Sequence, residues 1–224
     1  MFTQEQKLLH HVVLHANDFP SIGLLDGQMG LILILSEYSR LRKQRSLLTA
    51  RDFLLDQVLN NLTTATSMDF ANGLTGIGWG IEYLLQKKFI RGSSIDICEA
   101  IDCKLMQQNI CRMNDLGLDK GVEGWLHYII AHIQGGLIEN KQCFDTAYLK
   151  DVSNLCKNLI RQEVSSTLYN LCMTFLRVQS GCTDLYNFNL IPFIHSQINK
   201  RTKILGIRDG QAGILFTSII DKLS

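Results

Sequence analysis

The chain has 224 residues, of which 46% are apolar and 19% charged, a composition that supports a folded core and excludes disorder. Twenty-two Lys and Arg stand against 21 Asp and Glu, and a net charge of +1 gives no field that would select nucleic acid or an anionic membrane surface. No apolar run approaches the roughly 18 residues of a membrane span, and the first twenty residues lack a continuous apolar core, so neither membrane insertion nor a signal peptide is expected. A single cytoplasmic domain over residues 1–224 is predicted, its seven scattered Cys reduced.

Only two Pro interrupt the chain, and apolar residues recur at spacings of three and four, so helix is predicted almost throughout. A first helix over Gln4–Ala16 leads to GLLDGQMGLILIL from Gly23, where Gly27 and Gly30 open a second. Leu47–Asn61 leads to DFANGLTGIGWGIEYLL from Asp69, with Gly73 and Gly76. Ile95–Arg112 leads to GLDKGVEGWLHYII from Gly117, with Gly121 and Gly124. Asp145–Gln162 leads to STLYNLCMTFLRV, where Asn170 takes the place of the first Gly. Tyr186–Lys200 leads to GIRDGQAGILFTSI from Gly206, with Gly210 and Gly213.

The first Gly of each pair recurs at intervals of 46, 48 and 89 residues, the last being about two periods, and Asn170 marks the degenerate copy between. Five units of two helices predict ten helices in two layers. Ile32, Leu35, Ile77, Ile81, Leu84, Leu126, Ile129, Ile130, Leu215 and Ile219 are the expected core. This period suits either an open solenoid or a closed α/α toroid. A Gly within a helix costs up to ~1 kcal/mol relative to Ala, so a recurring pair implies a close backbone approach where helix starts converge. That demand favours a toroid-like arrangement with the Gly-opened helices as the inner layer.

Repeats of the form G-L-x-x-G-x-A-G-I about fifty residues apart in an all-helical chain resemble the lanthionine synthetase C-like (LanC-like) family. The resemblance covers all five units, with NGLTGIGWGIEYLL and GIRDGQAGILFTSI its strongest lines. It implies an all-α fold, an α/α toroid of about five helical hairpins, shortened or incomplete beside the seven of familiar members. It also implies a peptide-maturation role. In the family, zinc held by two Cys and one His turns a substrate Cys into a thiolate that adds to a dehydrated Ser or Thr. The ligands stand one or two places before the Gly that opens an inner helix. Here those places hold Leu25 and Asp26, Ala71 and Asn72, Asp119 and Lys120, Leu168 and Tyr169, and Arg208 and Asp209. None is Cys or His, so no zinc and no other cofactor is expected. Lys120 replaces the family's proton-transfer His, and Asp69 matches its Asp four residues before the Gly, which makes Asp69 the one candidate catalytic remnant. The resulting expectation is a zinc-less scaffold that binds a peptide or a partner protein; the alternative is an active lanthionine-type cyclase.

Because the offset recurs, Asp26, Asn72, Asp119, Lys120, Tyr169, Arg208 and Asp209 are expected to gather before the inner helices as a substrate-binding set, unless they only cap helix starts. Trp79 and Trp125 are candidate apolar contacts. Carboxylate pairs for glycosidase chemistry could come from Asp26, Asp69, Asp119, Glu123 and Asp209. Cys172, Cys182 and His195 match no zinc spacing, His11 and His15 share an exposed helix face, and His127 and His132 follow the third Gly pair as inner-helix residues. A five-hairpin ring also predicts a seam between the first and last units, and self-association if that seam is open.

Overall fold

Two kinds of helix start appear along the chain, and they follow the sequence directly. Thr3, Ser93, Asp145 and Ser165 each accept a hydrogen bond from the N–H three residues on and so start α1 (Gln4–Leu14), α5 (Ser94–Met106), α7 (Thr146–Ile160) and α8 (Ser166–Gln179). Gly27, Gly73 and Gly121, in extended conformation and with no side chain to offer, precede α2 (Gln28–Arg42), α4 (Leu74–Gln86) and α6 (Val122–Glu139). With α3 (Ser46–Asn60) and α9 (Gln211–Ile220), the computed structural model holds nine α-helices, three single-turn 3-10 segments and no strand among its described residues, which are 3–182, 186–195 and 202–220. No helix among them is long and apolar enough to cross a membrane.

The helices fall into two compact units, one formed by Met1–Ser67 with Asn189–Ser224 and the other by Met68–Phe188. In the first, α2 packs against α3 and α9, and α1 against α9. In the second, α4, α6 and α8 pack in succession, α5 lies against α4 and α6, and α7 against α8. Burial matches this layering: α4 is buried from Leu74 to Leu84 on every side, whereas α5 buries a stripe of Ser94, Cys98, Ile101, Asp102 and Leu105. All ten residues predicted for the core are buried.

Two expectations are corrected. The helix expected over Tyr186–Lys200 is absent from its described part, 186–195, which makes only a 3-10 turn at Ile191–Phe193; 196–200 lie outside the described residues. Pro192 has no N–H to give to a helix running in from Tyr186, and the segment closes only a single turn there. In the fourth unit, Ser165 starts α8 five residues before Asn170, so Asn170 sits inside the helix and no Gly turn exists there.

The Gly pairs mark a close approach of backbone. A Cβ on Gly124 would lie 2.1 Å from the Leu118 carbonyl oxygen and 2.4 Å from Phe70 Cβ, and one on Gly30 would lie 2.3 Å from the Leu24 carbonyl oxygen and 2.7 Å from Ile207 Cγ2. Neither carbonyl can rotate away. Gly124→Ala is therefore expected to cost about 1–3 kcal/mol. Gly117→Ala, whose Cβ would meet only Asp115 Oδ1 at 3.2 Å, should cost much less. Urea midpoints of the two variants check this, and equal losses would show that the contact at Gly124 is not the reason for the glycine.

Candidate functional site

The loops before three of the Gly-opened helices, α2, α6 and α9, fold back over the helix start. Gln28 and Met29 donate N–H bonds to the Ser21 and Ile22 carbonyls, Val122 and Glu123 to Asp115 and Leu116, and Gln211 and Ala212 to Ile204 and Leu205. In each case the reach is seven residues. Main-chain carbonyls thus satisfy the first donors of the helix, a role that Asp26, Asp119 and Asp209 were candidates to fill with side chains.

Neighbouring motifs are joined by the same bonds in both units. The N–H groups of Phe70 and Ala71 donate to the Asp119 carbonyl at 2.8 and 3.1 Å, and those of Ile207 and Arg208 to the Leu25 carbonyl at 2.8 and 3.2 Å. Donors stand at the second and third places of one motif and the acceptor at the third place of the next. The side chain at the donor's second place fills the space left by the acceptor's second Gly, Phe70 at Gly124 and Ile207 at Gly30. The last motif thus meets the first as the second meets the third. In the same compact unit, α9 packs against α1 and α2.

The residues predicted for the site form two groups. In Met68–Phe188, Lys120 Nζ lies 3.9 Å from Asp69 Oδ2 with the lysine 70% exposed, a contact that water weakens to little. Asn72 and Asp119 are half-buried nearby in the motif chain. Tyr169 is exposed in the first turn of α8, not ahead of it, because of the shifted helix start. In the other unit, Asp26 lies against Gly206, while Asp209 Oδ1 pairs with His195 Nδ1 at 2.5 Å and the Arg208 carbonyl accepts the His195 N–H. His195, set aside in the sequence, belongs with this second group.

The two Trp are not available as surface contacts: Trp79 is fully buried and Trp125 is 5% exposed. Trp79 Nε1–H donates to the Tyr186 hydroxyl at 2.6 Å, and that hydroxyl donates to His127 Nδ1 at 2.7 Å. Burial pushes the His127 pKa down to about 4, so the ring is neutral with its proton on Nε2.

A second assembly in Met68–Phe188 was not visible in the motifs. Ser94, Cys98 and Asp102 stand four apart on one face of α5, Tyr128 and His132 four apart on α6, and Glu82 faces them from the third turn of α4. His132 Nδ1 lies 2.6 Å from Glu82 Oε1 and 3.0 Å from Ser94 Oγ, and its Nε2 2.7 Å from Asp102 Oδ2. Tyr128 donates its hydroxyl to Asp102 Oδ1 at 2.6 Å and stacks its ring on the imidazole. Ser94 donates to Glu82 Oε1, and Gln86 donates to Glu82 Oε2 at 2.9 Å. All of Glu82, Ser94, Asp102, Tyr128 and His132 are buried.

With a carboxylate oxygen at each nitrogen, His132 is an imidazolium. Burial works against that charge, but the bonds to Asp102, Cys143 and Glu82 outweigh it and hold the pKa well above the ordinary value. Burial also raises the Asp102 carboxyl, against the opposing pull of His132 and Tyr128. Donor atoms of Glu82, Cys98 and His132 all lie within 4.8 Å of one another. As it stands the cluster pins three helices together through charge. The sequence signal that could have found it is a Glu within the apolar run IGWGIEYLL and polar residues on the buried stripe of α5.

No protein-family model, curated protein or solved structure matches this chain.

Proposed function

We propose that the protein is a shortened LanC-like α/α toroid that serves a peptide-maturation system as a scaffold without zinc at the motif loops, binding a peptide or partner protein there. What carries this reading is the repeat made physical: within each unit the two motifs meet through the same main-chain bonds and the same Gly contact. A repeat built this way presents equivalent positions at the loop end of every Gly-opened helix. Those positions hold Asp26, Asn72, Asp119, Lys120, Arg208 and Asp209, none of which offers a thiol or an imidazole.

Lys120 and Arg208 supply positive charge, so the probe is a fluorescein-labelled, Glu-rich peptide with a free C-terminal carboxylate. Saturable anisotropy is expected, weakened about tenfold, or 1.4 kcal/mol, by Lys120→Ala or Arg208→Ala, with melting temperatures nearly unchanged. Binding that is absent, or indifferent to both substitutions, rejects a site at these loops. Zinc-dependent thioether formation in a peptide carrying Cys and dehydroalanine would place the protein among working cyclases instead.

A further inference from the structure

We propose that Glu82, Cys98 and His132 form a binding site for one divalent ion of the zinc class, buried between α4, α5 and α6. The motif loops have no part in it, and it stands or falls separately from the function proposed above.

The donor set is the first reason. A carboxylate, a thiol and an imidazole from three different helices have their ligand atoms within 4.8 Å of one another, and this mixture of S, N and O donors is one that Zn²⁺ accepts in tetrahedral geometry. Ser94 Oγ, on Glu82 and 3.0 Å from His132 Nδ1, or a water in its place, completes the four.

The second reason lies behind the histidine. A metal-bound imidazole almost always gives its other N–H to a carboxylate, a backbone carbonyl or a water, and such a carboxylate is itself held by hydrogen bonds. His132 Nε2 already meets Asp102 Oδ2 at 2.7 Å, and Tyr128 fixes the other Asp102 oxygen at 2.6 Å. Nδ1 is thereby left for the ion, on the side of Glu82. The Glu82 carboxylate is supported in the same way by Gln86 on its second oxygen.

Room and access are the third. Gly135 makes space beside the cluster, since a Cβ there would stand 2.6 Å from Glu82 Oε2 and 2.9 Å from Ser94 Oγ. A cleft of about 510 Å³ reaches the same two residues from outside, between Gln86, Arg91, Gly135 and Glu139. For the ion to enter, Glu82 Oε1 gives up its direct bond to Nδ1 and both turn to the metal, opening their separation to the roughly 3–4 Å that two ligands of one zinc ion require. Zn²⁺ replaces two protons, one from His132 Nδ1 and one from the Cys98 thiol, so the net charge of the buried cluster is unchanged.

The test uses the full chain, expressed without a histidine tag and stripped with a chelator. Titration with Co²⁺ should give a thiolate-to-cobalt charge-transfer band and tetrahedral d–d bands that saturate at one equivalent, are displaced by Zn²⁺, and accompany a rise in melting temperature. Cys98→Ser should abolish the charge-transfer band, Glu82→Gln should weaken affinity at least tenfold, and Asp102→Asn should weaken it about 10–100-fold while keeping the band. Absence of the band at one equivalent in the wild-type protein overturns the site without reference to any variant. So does a band that survives Cys98→Ser, since it would then arise from other thiols such as the exposed Cys103, Cys111 and Cys182. In either case the cluster is a charge clamp only.

Discussion

In metal-free protein, His132→Leu is expected to destabilise the Met68–Phe188 unit by about 3–5 kcal/mol, because it removes the cation paired with two buried carboxylates. Domain stabilities are about 5–15 kcal/mol, so much of the fold's margin would go. Leucine is close to histidine in size, and the loss comes from charge and not from volume. The triple variant Glu82→Gln, Asp102→Asn, His132→Leu checks this. It neutralises both carboxyl groups while leaving an acceptor for Tyr128 and partners for Ser94 and Gln86, and should recover most of the loss. Urea denaturation followed by circular dichroism, with chelator present, measures both variants. If the triple variant is no more stable than the single one, packing and not charge holds the cluster together.

This cluster shows where a sequence of this kind is readable and where it is not. The Gly pairs, their period and the apolar spacing are local and repeated, and they lead directly to the all-helical chain, the two kinds of helix and the buried residues of α2, α4, α6 and α9. The end of that legibility is equally physical. Asn170 fits the repeat by counting, but Ser165 offers α8 a better start five residues earlier. Asp26, Asp119 and Asp209 look like caps, yet carbonyls seven residues upstream of the helix starts take the first N–H groups, and no side-chain pattern predicts that. Glu82, Asp102 and His132 come from three helices and are separated by 20 and 30 residues, so no spacing rule connects them before α4, α5 and α6 are packed. Asp69 and Lys120 were related through the repeat, and the structure places them 3.9 Å apart, near enough to share a site and too exposed to bind each other strongly.

Acidification should expose a second buried group, His127. Its ring keeps some exposed surface, yet it is packed between Phe70 and Tyr186 and accepts the Tyr186 hydroxyl at Nδ1, so protonation would both charge an enclosed group and break that bond. The folded pKa of about 4 lies below the unfolded value of about 6.5. Above pH 6.5 both states are neutral at this position, and its contribution to stability is fully present. Between pH 6.5 and 4 the unfolded chain takes up a proton that the folded chain refuses, so stability falls as pH falls, and the loss levels off below pH 4. At 1.36 kcal/mol per pKa unit, and allowing for the part of the ring that water reaches, the loss is about 2–3 kcal/mol. His127→Asn keeps an acceptor for Tyr186 and does not titrate. Carboxylates titrate in the same window in both proteins, so the informative quantity is the difference in unfolding free energy between wild type and variant. That difference should be constant above pH 7 and shift against the wild type by about 2–3 kcal/mol on going to pH 4. A difference that stays flat across the whole range would mean that His127 takes up its proton as readily folded as unfolded, and that the Trp79–Tyr186–His127 chain does not depend on a neutral ring.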